Sequence, residues 1–253
     1  MVPIVIAHRG NSAHRPENTL ASFASALEIG ALFVELDVQL TADGQVVVLH
    51  DPTVDRTTDG HGPIASLSLS EARQLSAGYP RRFGSDFATE RIPTLAEALD
   101  LVRGRARVMI EIKPDAVGAN VDDGIEEQTL RIIRDRGAEA NVAILSFDHR
   151  ALERCRALEP DIVRGQLFYR AAAAEIVAAC RASASKVAMP EKGMLSDEVV
   201  AAVRGAGLEL GVWVVDDPAE LPDLLRHAPF GIASNDPGPM MAALVREVSI
   251  ARA

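Results

Sequence analysis

Short β-rich runs alternate with amphipathic helical segments along most of this 253-residue chain, and that alternation limits the folds open to it. The first run, Ile4–Ala7, stops at His8-Arg9-Gly10. Leu20, Phe23 and Leu27 then recur at helical spacing, and Gly30 closes that helix. A second strand follows from Phe33 to Leu40, with a shorter apolar run, Val46–Leu49, beyond the turn at Ala42-Asp43-Gly44. Thr94 as N-cap, with Glu97 completing a capping box, opens a helix through Val102, and the strand from Arg107 to Lys113 is halted by Pro114. Helical patterns at 123–137, 148–158, 172–182, 196–206 and 218–227 each precede a strand, at 141–146, 162–168, 185–189, 208–215 and 230–234. A last helix is expected at 237–247.

With Val46–Leu49 counted as an adjunct to the second strand, the chain holds eight βα units. Strands separated by helices pair in parallel, and eight such units close a (β/α)8 TIM barrel. A doubly wound open sheet is the alternative, but no Gly-x-Gly-x-x-Gly follows the first strand and no Walker-type loop opens a helix. Barrels of about 250 residues fold as one domain, so residues 1–253 read as a single catalytic domain. Residues 52–93 break the rhythm. Thr57-Thr58-Asp59-Gly60-His61-Gly62-Pro63 is turn chemistry and only Ser70–Leu75 looks helical. This small inserted segment after strand 2 reads as a lid or binding loop.

Hydrophobic residues make up 48% of the chain, enough for a large core. The net charge of −10 argues against nucleic-acid or anionic-membrane partners, so an anionic substrate would need local positive charge. The two cysteines, Cys155 and Cys180, fall in helical patterns and suggest no disulfide framework. The opening residues lack a basic n-region, and no apolar run reaches the ~20 residues that span a bilayer. A soluble, cytoplasmic protein without stable membrane insertion is the expectation; the oligomeric state is not legible.

On the second strand Glu35, Asp37 and Gln39 share one face while Val34, Leu36, Val38 and Leu40 take the other. Either the acidic face is the solvated side of an edge strand, or adjacent carboxylates surround a positive centre. Barrel chemistry sits at the carboxyl ends of strands. His8-Arg9 ends strand one, His50 ends the adjunct, Glu35 and Asp37 lie toward the end of strand two, and Glu111 and Lys113 end the next. Three carboxylates without a thiolate suit Ca2+ or Mg2+. Two histidines suit an acid/base pair, while arginine and lysine suit a phosphoryl oxygen. Metal-assisted cleavage of a phosphodiester is the reading these residues support together. Taken singly, His8 reads as a capped strand end, Glu111 and Lys113 as a same-face ion pair, and Trp213 as interior packing with a pocket role open.

His8-Arg9-Gly10, Pro16-Glu17-Asn18-Thr19, Glu35-Leu36-Asp37-Val38, His50-Asp51, Asp55-Arg56-Thr57-Thr58, Ile92-Pro93-Thr94-Leu95 and Glu111-Ile112-Lys113 stand in one order. In that order the chain resembles the glycerophosphodiester phosphodiesterase family. The resemblance implies hydrolysis of small glycerophosphodiesters to an alcohol and sn-glycerol 3-phosphate, by way of a cyclic phosphate. It implies His8 and His50 as the catalytic pair, and Glu35, Asp37 and Glu111 as ligands of a divalent cation. Arg9 and Lys113 match the phosphate contacts, and Trp213 joins them as a candidate substrate contact. Where the family shows Trp-Thr-Val-Asn and Thr-Asp-x-Pro, this chain has Trp213-Val214-Val215-Asp216 and Ser234-Asn235-Asp236-Pro237. Those departures bear on headgroup preference. Competing readings are lysophospholipase D-type cleavage, an enolase-like Mg-dependent enzyme with Lys113 as base, and a non-catalytic binding barrel.

Overall fold

The computed structural model describes residues 2–119 and 122–250; Met1, Asn120, Val121 and residues 251–253 lie outside it. The elements run β1 (Ile4–Ala7), α1 (Leu20–Glu28), β2 (Phe33–Leu40), β3 (Val46–Val48), α2 (Leu69–Ala72), α3 (Pro80–Phe83) and α4 (Leu95–Val102). They continue with β4 (Arg107–Ile112), α5 (Ile125–Asp135), β5 (Val142–Ser146), α6 (His149–Leu158), β6 (Val163–Phe168) and α7 (Ala173–Ala182). The chain ends with β7 (Val187–Pro190), α8 (Asp197–Gly205), β8 (Glu209–Val212), α9 (Leu221–Arg226), β9 (Gly231–Ser234) and α10 (Pro237–Ile250).

Eight parallel strands close on themselves, because β1 pairs with β9 on one side and with β2 on the other. The adjunct β3 pairs antiparallel with the far end of β2, Val38 opposite Val48. Alternation along each strand sets two apolar layers. Val34, Leu36, Val38, Ile110, Ile112 and Ile144 point out to helices α1, α4, α5 and α6 and are buried there. Ile6, Met109, Leu145, Leu167, Val187, Met189 and Ala233 fill the barrel interior as a plug. Full burial of a side chain such as Leu36 contributes roughly 1.5–3 kcal/mol.

Register explains why β2 matters. Phe33 and Val34 lie opposite Ile6 and Ala7, where β1 ends, so β2 runs on past the closed ring. Glu35 is the first inward residue above that ring. The face carrying Glu35, Asp37 and Gln39 is buried in the barrel, at 4%, 0% and 3% exposure, so the edge-strand reading is wrong for it. The capping box at Thr94 and Glu97 forms as expected.

Three boundaries differ from the sequence reading. The segment expected at 208–215 runs as a continuous strand only through Val212, followed by an isolated bridge from Trp213 to Glu191. Beyond it the Asp216 carboxylate accepts from Ser234 Oγ, Asn235 N and Asn235 Nδ2, which ties this stretch to the end of β9. The helix expected at 218–227 begins as a 3-10 turn, Pro218–Glu220, before α9. The inserted segment holds helix 69–72 rather than 70–75, plus α3, and buries its own small cluster of Val54, Ile64, Ala72, Ala77 and Ile92 against Val47 and Leu49.

Candidate active site

The inward residues at the carboxyl ends of the strands meet in a pocket of about 240 Å3. His8, Arg9, Glu35, His50, Glu111 and Lys113 line one side, and Leu145, Phe147, Leu167, Met189 and Trp213 line the other. Seven of the eight residues singled out from the sequence reach this lining. Asp37 sits just behind it.

One carboxylate oxygen each from Glu35, Asp37 and Glu111 lie within 4.8 Å of one another, and all three residues are buried. Burial raises the Glu35 carboxyl well above its usual range, reinforced by Asp37 and Glu111. Burial likewise raises Glu111, to about 7, with Asp37 adding to it and Lys113 opposing. Burial raises Asp37 too, but Arg9 and Lys113 outweigh it, so that carboxyl ends below its usual range. Three acids this close resist joint ionisation without further positive charge. Asp37 Oδ1 is buried with no hydrogen-bond partner among the described residues. An orphaned oxygen inside an all-oxygen triad fits a hard divalent cation.

Two basic side chains stand beside the triad. Arg9 takes a left-handed backbone, φ +55°, which turns its N–H to donate to Glu35 Oε2 at 3.0 Å. Its Nε lies 3.2 Å from Asp37 Oδ2 and its Nη1 donates to Glu17 Oε1 at 2.9 Å. Lys113 Nζ donates to Glu111 Oε1 at 2.7 Å and lies 3.5 Å from Asp37 Oδ1. Burial lowers the Lys113 ammonium's pKa, but Asp37 and Glu111 raise it further, so it stays charged. The Glu111–Lys113 pair is therefore buried, and removing one partner leaves the other uncompensated.

The two histidines have different supports. His8 Nδ1 lies 2.7 Å from Asn235 Oδ1. Asn235 Nδ2 donates to Asp216 Oδ2 at 2.7 Å, so its carbonyl oxygen faces the ring and must accept. That arrangement assigns the proton to Nδ1 and leaves the Nε2 lone pair on the Glu35 side, 3.9 Å from Oε2. Burial, then Arg9, pushes His8 down to about 4. His50 Nδ1 lies 2.6 Å from Asp51 Oδ1, a charged partner. Burial also lowers His50, with Asp37 opposing, but that ring is more open than His8. Trp213 forms part of the apolar wall: its Nε1 donates to Met189 O at 2.8 Å and its ring meets Phe147 edge-on, centroids 5.3 Å apart.

Several supports had no role in the sequence reading. Asn18, also left-handed at φ +57°, donates from Nδ2 to Asp37 Oδ2 at 2.8 Å. Glu17, Asp51, Arg56 and Asn235 hold the charged groups from behind. The tetrapeptide Pro16-Glu17-Asn18-Thr19 carried a local signal, an asparagine tolerant of left-handed backbone just before an N-cap threonine. His14, His61, His149 and His227 are absent from the pocket lining. Both cysteines are buried and free, and burial pushes their thiols up to about 12, as inert core residues.

Fold and mouth together define an α/β-barrel enzyme whose pocket is charged on one side and apolar on the other. The profile of the glycerophosphoryl diester phosphodiesterase family matches residues 8–239, and the chain belongs to that family. It is 39% identical over 238 residues to a glycerophosphodiester phosphodiesterase of Caldanaerobacter subterraneus, covering 94% of this chain and 96% of that one. A glycerophosphodiester phosphodiesterase of Bacillus subtilis is 30% identical over 250 residues, covering 92% of this chain and 84% of its own length. Among solved structures, an Oleispira antarctica phosphodiesterase in complex with the product sn-glycerol-3-phosphate superposes with a TM-score of 0.88 at 28% identity. That match covers 96% of this chain and 97% of the other. A glycerophosphodiester phosphodiesterase from Agrobacterium tumefaciens matches with a TM-score of 0.81 at 28% identity, covering 95% and 99%. No helix among the described residues is long and apolar enough to cross a membrane.

Proposed function

We propose that this enzyme hydrolyses small glycerophosphodiesters to an alcohol and sn-glycerol 3-phosphate with a divalent cation, Ca2+ or Mg2+, held by Glu35, Asp37 and Glu111. The observation that carries the reading is the buried acid triad with imidazoles and basic side chains on the same pocket wall. Bound there, the cation would offset charge gathering on the phosphoryl oxygens. Arg9 and Lys113 hold the phosphate as fork and point charge. His8, neutral and with its Nε2 lone pair free, takes the proton from the glycerol hydroxyl neighbouring the phosphate, which attacks phosphorus. His50, backed by the Asp51 carboxylate, donates a proton to the departing alcohol oxygen. Water then opens the cyclic phosphate with the two imidazoles in exchanged roles. Trp213 and the apolar wall pack against the uncharged part of the substrate.

The state of Lys113 separates this reading from an enolase-like one. A lysine paired with two carboxylates and held charged is a poor base for carbon acids. The test is incubation with several glycerophosphodiesters, with and without chelator, and assay of released glycerol 3-phosphate. The reading expects release that chelator stops and added cation restores. Release unaffected by chelation, or none with any diester, would overturn it.

A further inference from the structure

Arg56 belongs to the inserted segment and lies outside the pocket lining, yet all of its guanidinium nitrogens are engaged by two acids behind the site. Nε donates to Asp51 Oδ2 at 2.6 Å and Nη2 to Asp51 Oδ1 at 3.1 Å. Nη1 donates to Glu17 Oε2 at 2.7 Å and Nη2 to Glu17 Oε1 at 2.9 Å. These are two forked contacts from one planar group, a geometry that only arginine supplies. Each acid in turn holds a group facing the substrate pocket. Asp51 meets His50 Nδ1 at 2.6 Å, and Glu17 accepts from Arg9 Nη1 at 2.9 Å. The series His50, Asp51, Arg56, Glu17, Arg9 is therefore unbroken, and Arg56 joins its imidazole half to its guanidinium half.

The segment is built to hold that side chain still. The Arg56 guanidinium lies over the ring of Tyr79, 5.6 Å from the centroid. Tyr79 is half-buried in a left-handed conformation and its N–H donates to Thr57 O at 2.9 Å. The small apolar cluster of Val54, Ile64 and Ala77 fixes the loop beneath. Without Arg56, Glu17 would keep Arg9 and Asp51 would keep His50, but nothing would tie the two acids together, and each would be free to pull its partner out of line.

We infer that Arg56 is a positioning residue for the phosphodiesterase reaction, setting His50 and Arg9 against the same phosphate, and that clamping them is the work of the inserted segment. The inference rests on the function proposed above. A displacement of about 1 Å in such groups costs on the order of 100-fold in rate. The test compares Arg56→Ala, Arg56→Lys and, as control on the same segment, Arg73→Ala, whose side chain pairs among the described residues with Glu97 alone. Cation-dependent release of glycerol 3-phosphate is followed, with kcat and KM separated and with guanidinium or ammonium ions added at equal ionic strength.

Arg56→Ala is expected to lose about 100-fold in kcat/KM, shared between a lower kcat through His50 and a higher KM through Arg9. Arg56→Lys should recover only part, and guanidinium but not ammonium should rescue the alanine variant several-fold. Arg73→Ala should stay within twofold of the parent. Arg56→Ala or Arg56→Lys within twofold of the parent would overturn the inference, as would equal rescue by both ions. If the parent enzyme releases no glycerol 3-phosphate, the functional reading fails instead. A parent that is active, and inactivated by His8→Ala, but indifferent to Arg56 sinks this inference alone.

Discussion

The two halves of the barrel mouth are built on opposite terms. From β1 to β4 the inward residues that reach the pocket are ionisable: His8, Glu35, Glu111 and Lys113, with Asp37 just behind and Arg9 beside them. From β5 to β9 the corresponding wall is Leu145, Phe147, Leu167, Met189, Trp213 and Ala233. In the function proposed above, one half supplies charge and proton transfer. The other excludes water from them, and so strengthens each electrostatic contact made across the pocket. Polar atoms of the second half act at one remove, as when Asp216 holds Asn235 and Asn235 holds His8.

Substitutions sharpen that contrast, and the largest effects should come from the charged half. His8→Ala and His50→Ala should each cost about 10²–10⁴-fold in kcat, with KM little changed, in steady-state assays of glycerol 3-phosphate release. A loss below tenfold for either would break the division of labour. Removing Lys113 should act on both function and fold. Lys113→Ala leaves Glu111 and Asp37 buried beside each other with one positive charge fewer, which should cost roughly 3–5 kcal/mol in denaturant unfolding of the cation-free protein.

Substitution on the apolar side should be milder. Trp213→Phe keeps the ring against Phe147 but loses the bond to Met189 O, costing about 1 kcal/mol of stability and changing kcat/KM by less than tenfold. A loss as deep as that of His8→Ala would mean that the apolar wall takes part in the chemistry. The smallest effect concerns pH. Glu111 is raised to about 7 in the cation-free protein, above its ordinary value near 4.5, so the folded chain binds more protons than the unfolded one between those values. Stability of the chelated protein should therefore fall as pH rises from about 5 to 7, and Glu111→Gln should flatten that slope in thermal melts. Saturating cation should reverse it, because binding displaces the proton.

Most of the barrel and of its charged half was legible because both are written locally. Strand and helix periods repeat within short windows, and His8-Arg9, Glu35-x-Asp37 and Glu111-x-Lys113 each sit on one strand end. What stayed hidden depends on closure of the ring. His8 finds Asn235 across 227 positions and Arg56 finds Glu17 across 39, contacts that no local pattern encodes. The exchange of Asn and Asp between positions 216 and 235 read as a departure that touched headgroup preference. In the folded chain the two residues bond to each other behind His8, so the departure bears on the histidine. The helices α2 and α3 were blurred because the inserted segment is organised by its own small core and by a left-handed tyrosine, not by a repeating period.

Titration calorimetry on chelated protein measures directly whether Glu35, Asp37 and Glu111 hold a divalent cation. Mg2+ or Ca2+ should bind once per chain, release protons at pH 7, and lose measurable heat when Glu35 and Glu111 are both changed to glutamine. Binding that survives the double substitution, or no binding to the parent at millimolar cation, would contradict the proposed site.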